Sequence, residues 1–119
     1  MYTRSGAVWS QEAKLVPPLG SPGRHFGWEI AISDGTMVIS EGEAPPWIYR
    51  NSGSGWESAG VQIPLPALAA GTYPSVALLD GTLVVGVATE FSSSPTRSGV
   101  VRVFEPRSSR TTPGWDSLE

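Results

Sequence analysis

Short stretches of alternating apolar and polar residues recur along the chain, with turn signals between them. In "IAISDGTMVIS" (30–40) two apolar runs flank Asp34-Gly35, a dipeptide that favours a two-residue β-hairpin. The pattern predicts a first set of strands at 28–32, 36–40, 46–50 and 56–63. It predicts a second set at 75–79, 82–87 and 99–104, with a further strand that begins at Trp115.

The two sets are copies of one unit. Asp34-Gly35-Thr36 aligns with Asp80-Gly81-Thr82 at an offset of 46 residues, and the apolar residues on both sides of the turn then match. Four short strands in 40–50 residues are typical of a β-propeller blade. We therefore predict an all-β chain of two blades, each with four antiparallel strands. The predicted boundaries within the single domain 1–119 are 6–20 for an outer strand of a neighbouring blade, 21–64 for the first blade and 65–119 for the second.

Three segments resemble the FG-GAP repeat of integrin-type β-propellers: "WSQEAKL" (9–15), "FGWEIAISDGTMVIS" (26–40) and "GVVRVFE…GW" (99–115). The resemblance implies adhesion or ligand recognition through loops on one face, and an extracellular or periplasmic location. Calcium-binding members carry an Asp-rich loop, whereas "LGSPGRH" (19–25) and "LPALAAGT" (65–72) contain no acidic residue. Calcium is therefore not expected.

The composition is consistent with many short strands. Gly (14) and Pro (11) are abundant, and both residues destabilise helix interiors. The net charge of −3 and the scattered Arg residues argue against nucleic-acid binding, which needs clustered cations. No apolar run is long enough for a membrane span, and without Cys there is no disulfide or thiolate metal site. We predict no cofactor and no metal.

Two blades alone would leave apolar sheet faces in water, since blades bury these faces only against one another. We therefore expect the chain to assemble with itself, as a homotrimer of six blades or a homotetramer of eight. The alternative is that the chain is a fragment of a longer propeller.

The candidate ligand-binding residues are aromatic. Trp28 and Trp47 have no aromatic counterpart in the second unit, and a non-repeating Trp on a repeating fold suits recognition of sugar rings or peptide side chains. Tyr49 completes the predicted surface, with Arg24 and Glu29 as polar partners. Three other Trp residues recur between units and are expected to pack between blades, namely Trp9, Trp56 and Trp115.

The predicted function is a non-enzymatic binding or assembly module, and a carbohydrate-binding lectin is the alternative. A hydrolase using Glu41 and Glu43 is a third hypothesis, although a solvated strand end explains that pair more simply. His25, the single histidine, is expected to be a solvated loop residue. Asp34 and Asp80 are expected to form turns.

Overall fold

Antiparallel β-strands make up the regular structure of the computed structural model, which describes residues 1–18, 25–66, 68, 70–88, 99–106 and 115–117. The first six strands are β1 (Tyr2–Ser5), β2 (Val8–Gln11), β3 (Ile30–Ser33), β4 (Thr36–Glu41), β5 (Ala44–Arg50) and β6 (Val61–Gln62). The remaining four are β7 (Ser75–Leu79), β8 (Thr82–Val87), β9 (Val100–Pro106) and β10 (Trp115–Ser117). Within these described ranges there is no helix long and apolar enough to cross a membrane.

The strands form a small hairpin and two four-stranded sheets. The hairpin pairs β1 with β2, the first sheet has the order β3-β4-β5-β6, and the second sheet has the order β7-β8-β9-β10. Each sheet is thus an up-and-down meander of four antiparallel strands. The predicted all-β fold is confirmed, while assembly of three or four copies stays a prediction.

The two Asp-Gly turns have the predicted geometry. Asp34 and Gly35 have φ angles of 46° and 69°, and Asp80 and Gly81 have φ angles of 47° and 82°. Positive φ at both central residues is what a type I′ hairpin requires, and Asp and Gly tolerate it better than most residues. Both Asp residues therefore act as turn formers, as predicted.

The two sheets pack face to face through an apolar interface core. Side chains alternate between the two faces of a strand, and one face of each sheet contributes to this interface. The residues buried there are Val38 and Ile48 from the first sheet, Ile63 directly after β6, and Leu83, Val85 and Phe104 from the second sheet. At one end of the interface the Asp80 N–H also donates to Ser33 Oγ (3.3 Å).

The opposite face of the first sheet has a different cover. Met37, Ile39 and Tyr49 are buried there, against Met1, Leu15, Phe26, Trp47 and Trp56. The Tyr49 hydroxyl donates to the Val16 carbonyl oxygen (2.9 Å), which ties the segment after the hairpin onto this face.

The N-terminal segment differs in part from the sequence prediction. Residues 8–11 form a strand, but within this chain that strand pairs with β1, so the predicted pairing with a neighbouring blade stays a prediction. Trp9 is 63% exposed within this chain, so its packing between blades, which would need a neighbouring blade beside the hairpin, stays a prediction. Trp56 is half-buried beside Tyr49, and the Trp115 side chain lies outside the described part of the chain.

Gly60 provides a test of this packing. A Cβ added at Gly60 would lie 2.7 Å from Cζ of the buried Tyr49 ring, so Gly60→Ala should lower the free energy of unfolding by about 1–3 kcal/mol, the usual cost of overpacking. Gly86→Ala is the control, since its Cβ would lie 4.0 Å from the nearest atom, Ser75 Cβ. Equal urea-unfolding midpoints for the two variants would contradict the described packing.

Candidate functional site

Three aromatic side chains meet on the surface where the two sheets adjoin. The Trp28 and Tyr73 ring centroids lie 4.9 Å apart with an interplanar angle of 40°. The His25 ring lies 5.8 Å from that of Tyr73 and 6.2 Å from that of Trp28. Trp28 is 58% exposed, and His25 and Tyr73 are also exposed. We call His25, Trp28 and Tyr73 the aromatic cluster.

The backbone of residues 25–28 holds two members of the cluster in place. The N–H groups of Gly27 (3.0 Å) and Trp28 (3.3 Å) both donate to the Ser40 carbonyl oxygen, and the Trp28 N–H also lies 3.1 Å from the His25 carbonyl oxygen. His25 and Gly27 adopt positive φ angles of 57° and 93°, which fold the segment back on itself. The loop is thereby fastened to the end of β4.

Glu29 joins this loop to the second sheet. Its carboxylate accepts hydrogen bonds from the Val76 N–H (2.9 Å) and the Ser75 hydroxyl (3.2 Å), at the start of β7. Its own N–H donates to Ser40 Oγ (2.9 Å). Glu29 was predicted as a polar ligand partner, and the structure places it beside the aromatic cluster as a brace between the sheets.

The segment that carries Tyr73 is fixed from the other side by the turn between β4 and β5. Glu43 Oε1 accepts a hydrogen bond from the Gly71 N–H (2.8 Å), and the Glu43 N–H donates to the Thr72 carbonyl oxygen (2.7 Å). Hydrogen bonds thus restrain both sides of the aromatic cluster.

The other predicted site residues do not join this cluster. Trp47 packs against Met37, Ile39 and Tyr49, and its indole N–H donates to Glu41 Oε1 (3.1 Å). Tyr49 is fully buried, which is the position of a core residue. Arg24 lies outside the described residues. The structure therefore places Trp28 and Glu29 together and Trp47 and Tyr49 elsewhere.

The two carboxylates of the hydrolase hypothesis lie in unlike surroundings. Glu43 is exposed, as expected for a solvated strand end. Glu41 is buried, and its Oε2 has no hydrogen-bond partner, so the solvated-end prediction is wrong for Glu41. The Glu41 carboxylate lies against Trp47 of β5, whose indole N–H donates to its Oε1, rather than at a solvated strand end.

Sequence reasoning missed Tyr73, although the signal was present. Tyr73 aligns with Gly27 of the first unit at the offset of 46, so it is an aromatic residue without an aromatic counterpart, as Trp28 is. His25 is exposed as predicted, but its contact with two aromatic rings depends on a positive φ angle that the sequence does not reveal. In the described part of the chain no three His, Cys, Asp or Glu side chains converge to hold a metal ion.

Comparison with known families agrees with the sequence resemblance. A family model described as the FG-GAP repeat matches residues 9–55, so the predicted FG-GAP repeat is confirmed for that segment. The match runs from β2 through β5 and includes His25 and Trp28, whereas Tyr73 and the second sheet lie beyond it. Comparison with curated proteins and with solved structures gave no match.

Glu29 should contribute to stability as well as to the site. Glu29→Ala removes two accepted hydrogen bonds, so the free energy of unfolding should fall by about 1–3 kcal/mol, and the near-UV circular dichroism of the aromatic cluster should weaken. Glu12→Ala is the control, because Glu12 is exposed and surface substitutions of this kind stay within about 0.5 kcal/mol. An unchanged aromatic spectrum in Glu29→Ala would argue against the brace.

Tyr49 should make the free energy of unfolding depend on pH in the alkaline range. Burial raises the pKa of the Tyr49 phenol above its ordinary value of 10.0, and the negative charge of Glu41 raises it further. The neutral Tyr49 phenol therefore stabilises the folded chain. This contribution is fully present below the unfolded-state pKa of about 10, and it is lost as pH rises through the higher folded-state pKa.

The measurement is urea unfolding of the wild-type chain and Tyr49→Phe across that range. At pH about 9 the variant should be less stable by about 0.5–1.5 kcal/mol, because it lacks the hydrogen bond to Val16. The difference should shrink above pH about 10, because only the wild-type chain carries the buried phenol. A constant difference would refute the buried phenol as its source.

Proposed function

We propose that the chain is a non-enzymatic recognition module of the binding or adhesion type, with the aromatic cluster as its ligand-binding surface. The observation that carries the proposal is the exposure of three adjoining aromatic side chains where the two sheets meet. The FG-GAP repeat at residues 9–55 supports the general class, since that repeat suggests a binding or adhesion module.

Exposed aromatic rings are suited to recognition because a ligand can remove their apolar faces from water while their polar edges stay hydrogen-bonded. Trp and Tyr also have few rotatable bonds, so ordering them on binding costs little conformational entropy. The cluster offers the Trp28 indole N–H, the Tyr73 hydroxyl and the His25 imidazole beside the ring faces. A flat ligand group against Trp28 could therefore be both stacked and hydrogen-bonded.

The braces described above make the surface rigid before any ligand arrives. Glu29 links the Trp28 loop to β7, and Glu43 links the Tyr73 segment to the turn after β4. A surface that is already ordered loses less entropy on binding, which raises affinity. The arrangement thus favours recognition by preformed loops at one end of the sheets.

A polypeptide partner is the first candidate ligand, and a carbohydrate is the second. The specific observation that favours a carbohydrate is the 40° tilt between the Trp28 and Tyr73 rings, which makes an open aromatic corner rather than a closed stack. Carbohydrate rings bind through their apolar C–H faces to aromatic side chains, with hydroxyl groups bonded at the edges.

The chain offers a matched pair of Trp variants for the test. We would apply labelled wild-type chain, Trp28→Ala and Trp9→Ala to a peptide library and a glycan array. Trp9 is as exposed as Trp28 but lies on the hairpin β1–β2, away from the cluster. The wild-type chain should bind members of one of the two collections. Trp28→Ala should bind the same members at least about tenfold more weakly, as expected when a central aromatic contact is removed. Trp9→Ala should bind them as the wild-type chain does.

The outcome also separates the candidates. Hits confined to the peptide library indicate a polypeptide ligand, and hits confined to the array indicate a lectin. Binding that survives Trp28→Ala, or no binding to either collection, would overturn the aromatic cluster as the recognition surface.

A further inference from the structure

The three rings of the aromatic cluster leave no gap between them. Aromatic side chains in direct contact have ring centroids about 4.5–7 Å apart. The Trp28 and Tyr73 centroids are 4.9 Å apart, and the His25 centroid lies 5.8 Å from that of Tyr73 and 6.2 Å from that of Trp28. The His25 ring therefore covers part of the corner that the other two rings form, and a ligand that enters this corner has to displace it.

The backbone on either side of the cluster is restrained. The Gly27 and Trp28 N–H groups donate to the Ser40 carbonyl oxygen, and the hydrogen bonds described above fix the segment that carries Tyr73. The His25 side chain is exposed, and exposed side chains change rotamer within nanoseconds. The corner therefore opens by rotation of the His25 side chain rather than by movement of a loop.

His25 is also the member of the cluster whose charge changes near neutral pH. It is the single histidine of the chain, and imidazole ordinarily titrates between pH about 5 and about 8. An indole carries no charge, and a phenol ordinarily titrates at pH about 10. Protonation makes the His25 ring a cation beside two aromatic rings, at about the 6 Å separation over which a cation is attracted to a ring face.

Two carboxylates lie beside the cluster among the described residues. Glu29, on the same segment as His25, accepts hydrogen bonds from the start of β7, and Glu43 accepts one from the segment that carries Tyr73. Carboxylic acids ordinarily titrate at pH about 4, below the range of imidazole. Residues 70–74 contain no charged side chain, and Arg24 lies outside the described residues. The imidazole thus supplies the charge that changes near neutral pH.

We propose that His25 is a pH-dependent cover of the ligand-binding surface. The imidazolium holds the corner between Trp28 and Tyr73 closed at mildly acidic pH, and the neutral imidazole releases it at higher pH. Cation attraction at an exposed site changes the ratio of closed to open forms by about two- to fivefold. This inference rests on the proposed function, since it concerns the access of a ligand to the aromatic cluster.

Access to Trp28 can be measured without a ligand. A chain labelled with fluorotryptophan gives fluorine NMR signals from its Trp residues, and a neutral gadolinium chelate in the solvent broadens the signals of the rings that it reaches. Trp28→Phe identifies the Trp28 signal. Trp9 is the internal reference, because it is as exposed as Trp28 but lies on the hairpin β1–β2.

The broadening of Trp28 relative to Trp9 should be at least about 1.5-fold greater at pH about 8 than at pH about 5.5. The change should follow the titration of the His25 ring protons. His25→Asn is the matched variant, because Asn tolerates a positive φ angle such as the 57° of His25 but has no imidazole. Its Trp28 signal should broaden equally at both pH values.

Glu43→Gln is the control for the neighbouring charge. The variant keeps an oxygen that accepts the hydrogen bond from the Gly71 N–H but removes the carboxylate. The pH dependence of the Trp28 signal should persist in it, since the titrating group is the imidazole.

Equal broadening of Trp28 at the two pH values in the wild-type chain, or the same pH dependence in His25→Asn, would overturn the cover. The proposed function fails separately, when binding to the peptide library or glycan array survives Trp28→Ala. Library or array members that the wild-type chain binds should bind about two- to fivefold more weakly at the lower pH, because only the open form is competent. Stronger binding at the lower pH would also overturn the cover.

Discussion

The rest of the structure depends on the apolar contact between the two sheets. A four-stranded sheet with apolar side chains on both faces cannot expose both to water, and burial of each Val, Leu or Phe is worth about 1.5–3 kcal/mol. Leu83, Val85 and Phe104 of the second sheet are buried in one cluster with Val38 and Ile48 of the first sheet. This contact fixes the position of one sheet relative to the other.

The surface features follow from that position. The aromatic cluster combines Trp28 from the first sheet's leading loop with Tyr73 from the second, so it exists only when the sheets are docked. Glu29 reinforces the same arrangement by bonding to the start of β7. Where the two sheets do not cover each other, apolar side chains stay exposed. Ile30 and Ile32 are exposed, whereas the aligned Val76 and Leu78 of the second sheet are half-buried in the interface core.

Much of the fold could be predicted from the sequence, because strand alternation and Asp-Gly turns are local signals. The site was harder to predict, since it depends on which loops the docked sheets bring together. Trp28 was found because it breaks the repeat, and Tyr73 could have been found in the same way. Tyr49 was misplaced because the segment that buries it, near Met1 and Leu15, lies far from it in sequence.

The most direct test of the account is a methyl–methyl nuclear Overhauser measurement on the chain in solution. The account predicts cross-peaks that connect Val38 or Ile48 of the first sheet with Leu83 or Val85 of the second. Strong cross-peaks within each sheet but none between these groups would mean that the sheets fold without docking. That result would contradict the shared interface on which the aromatic cluster depends.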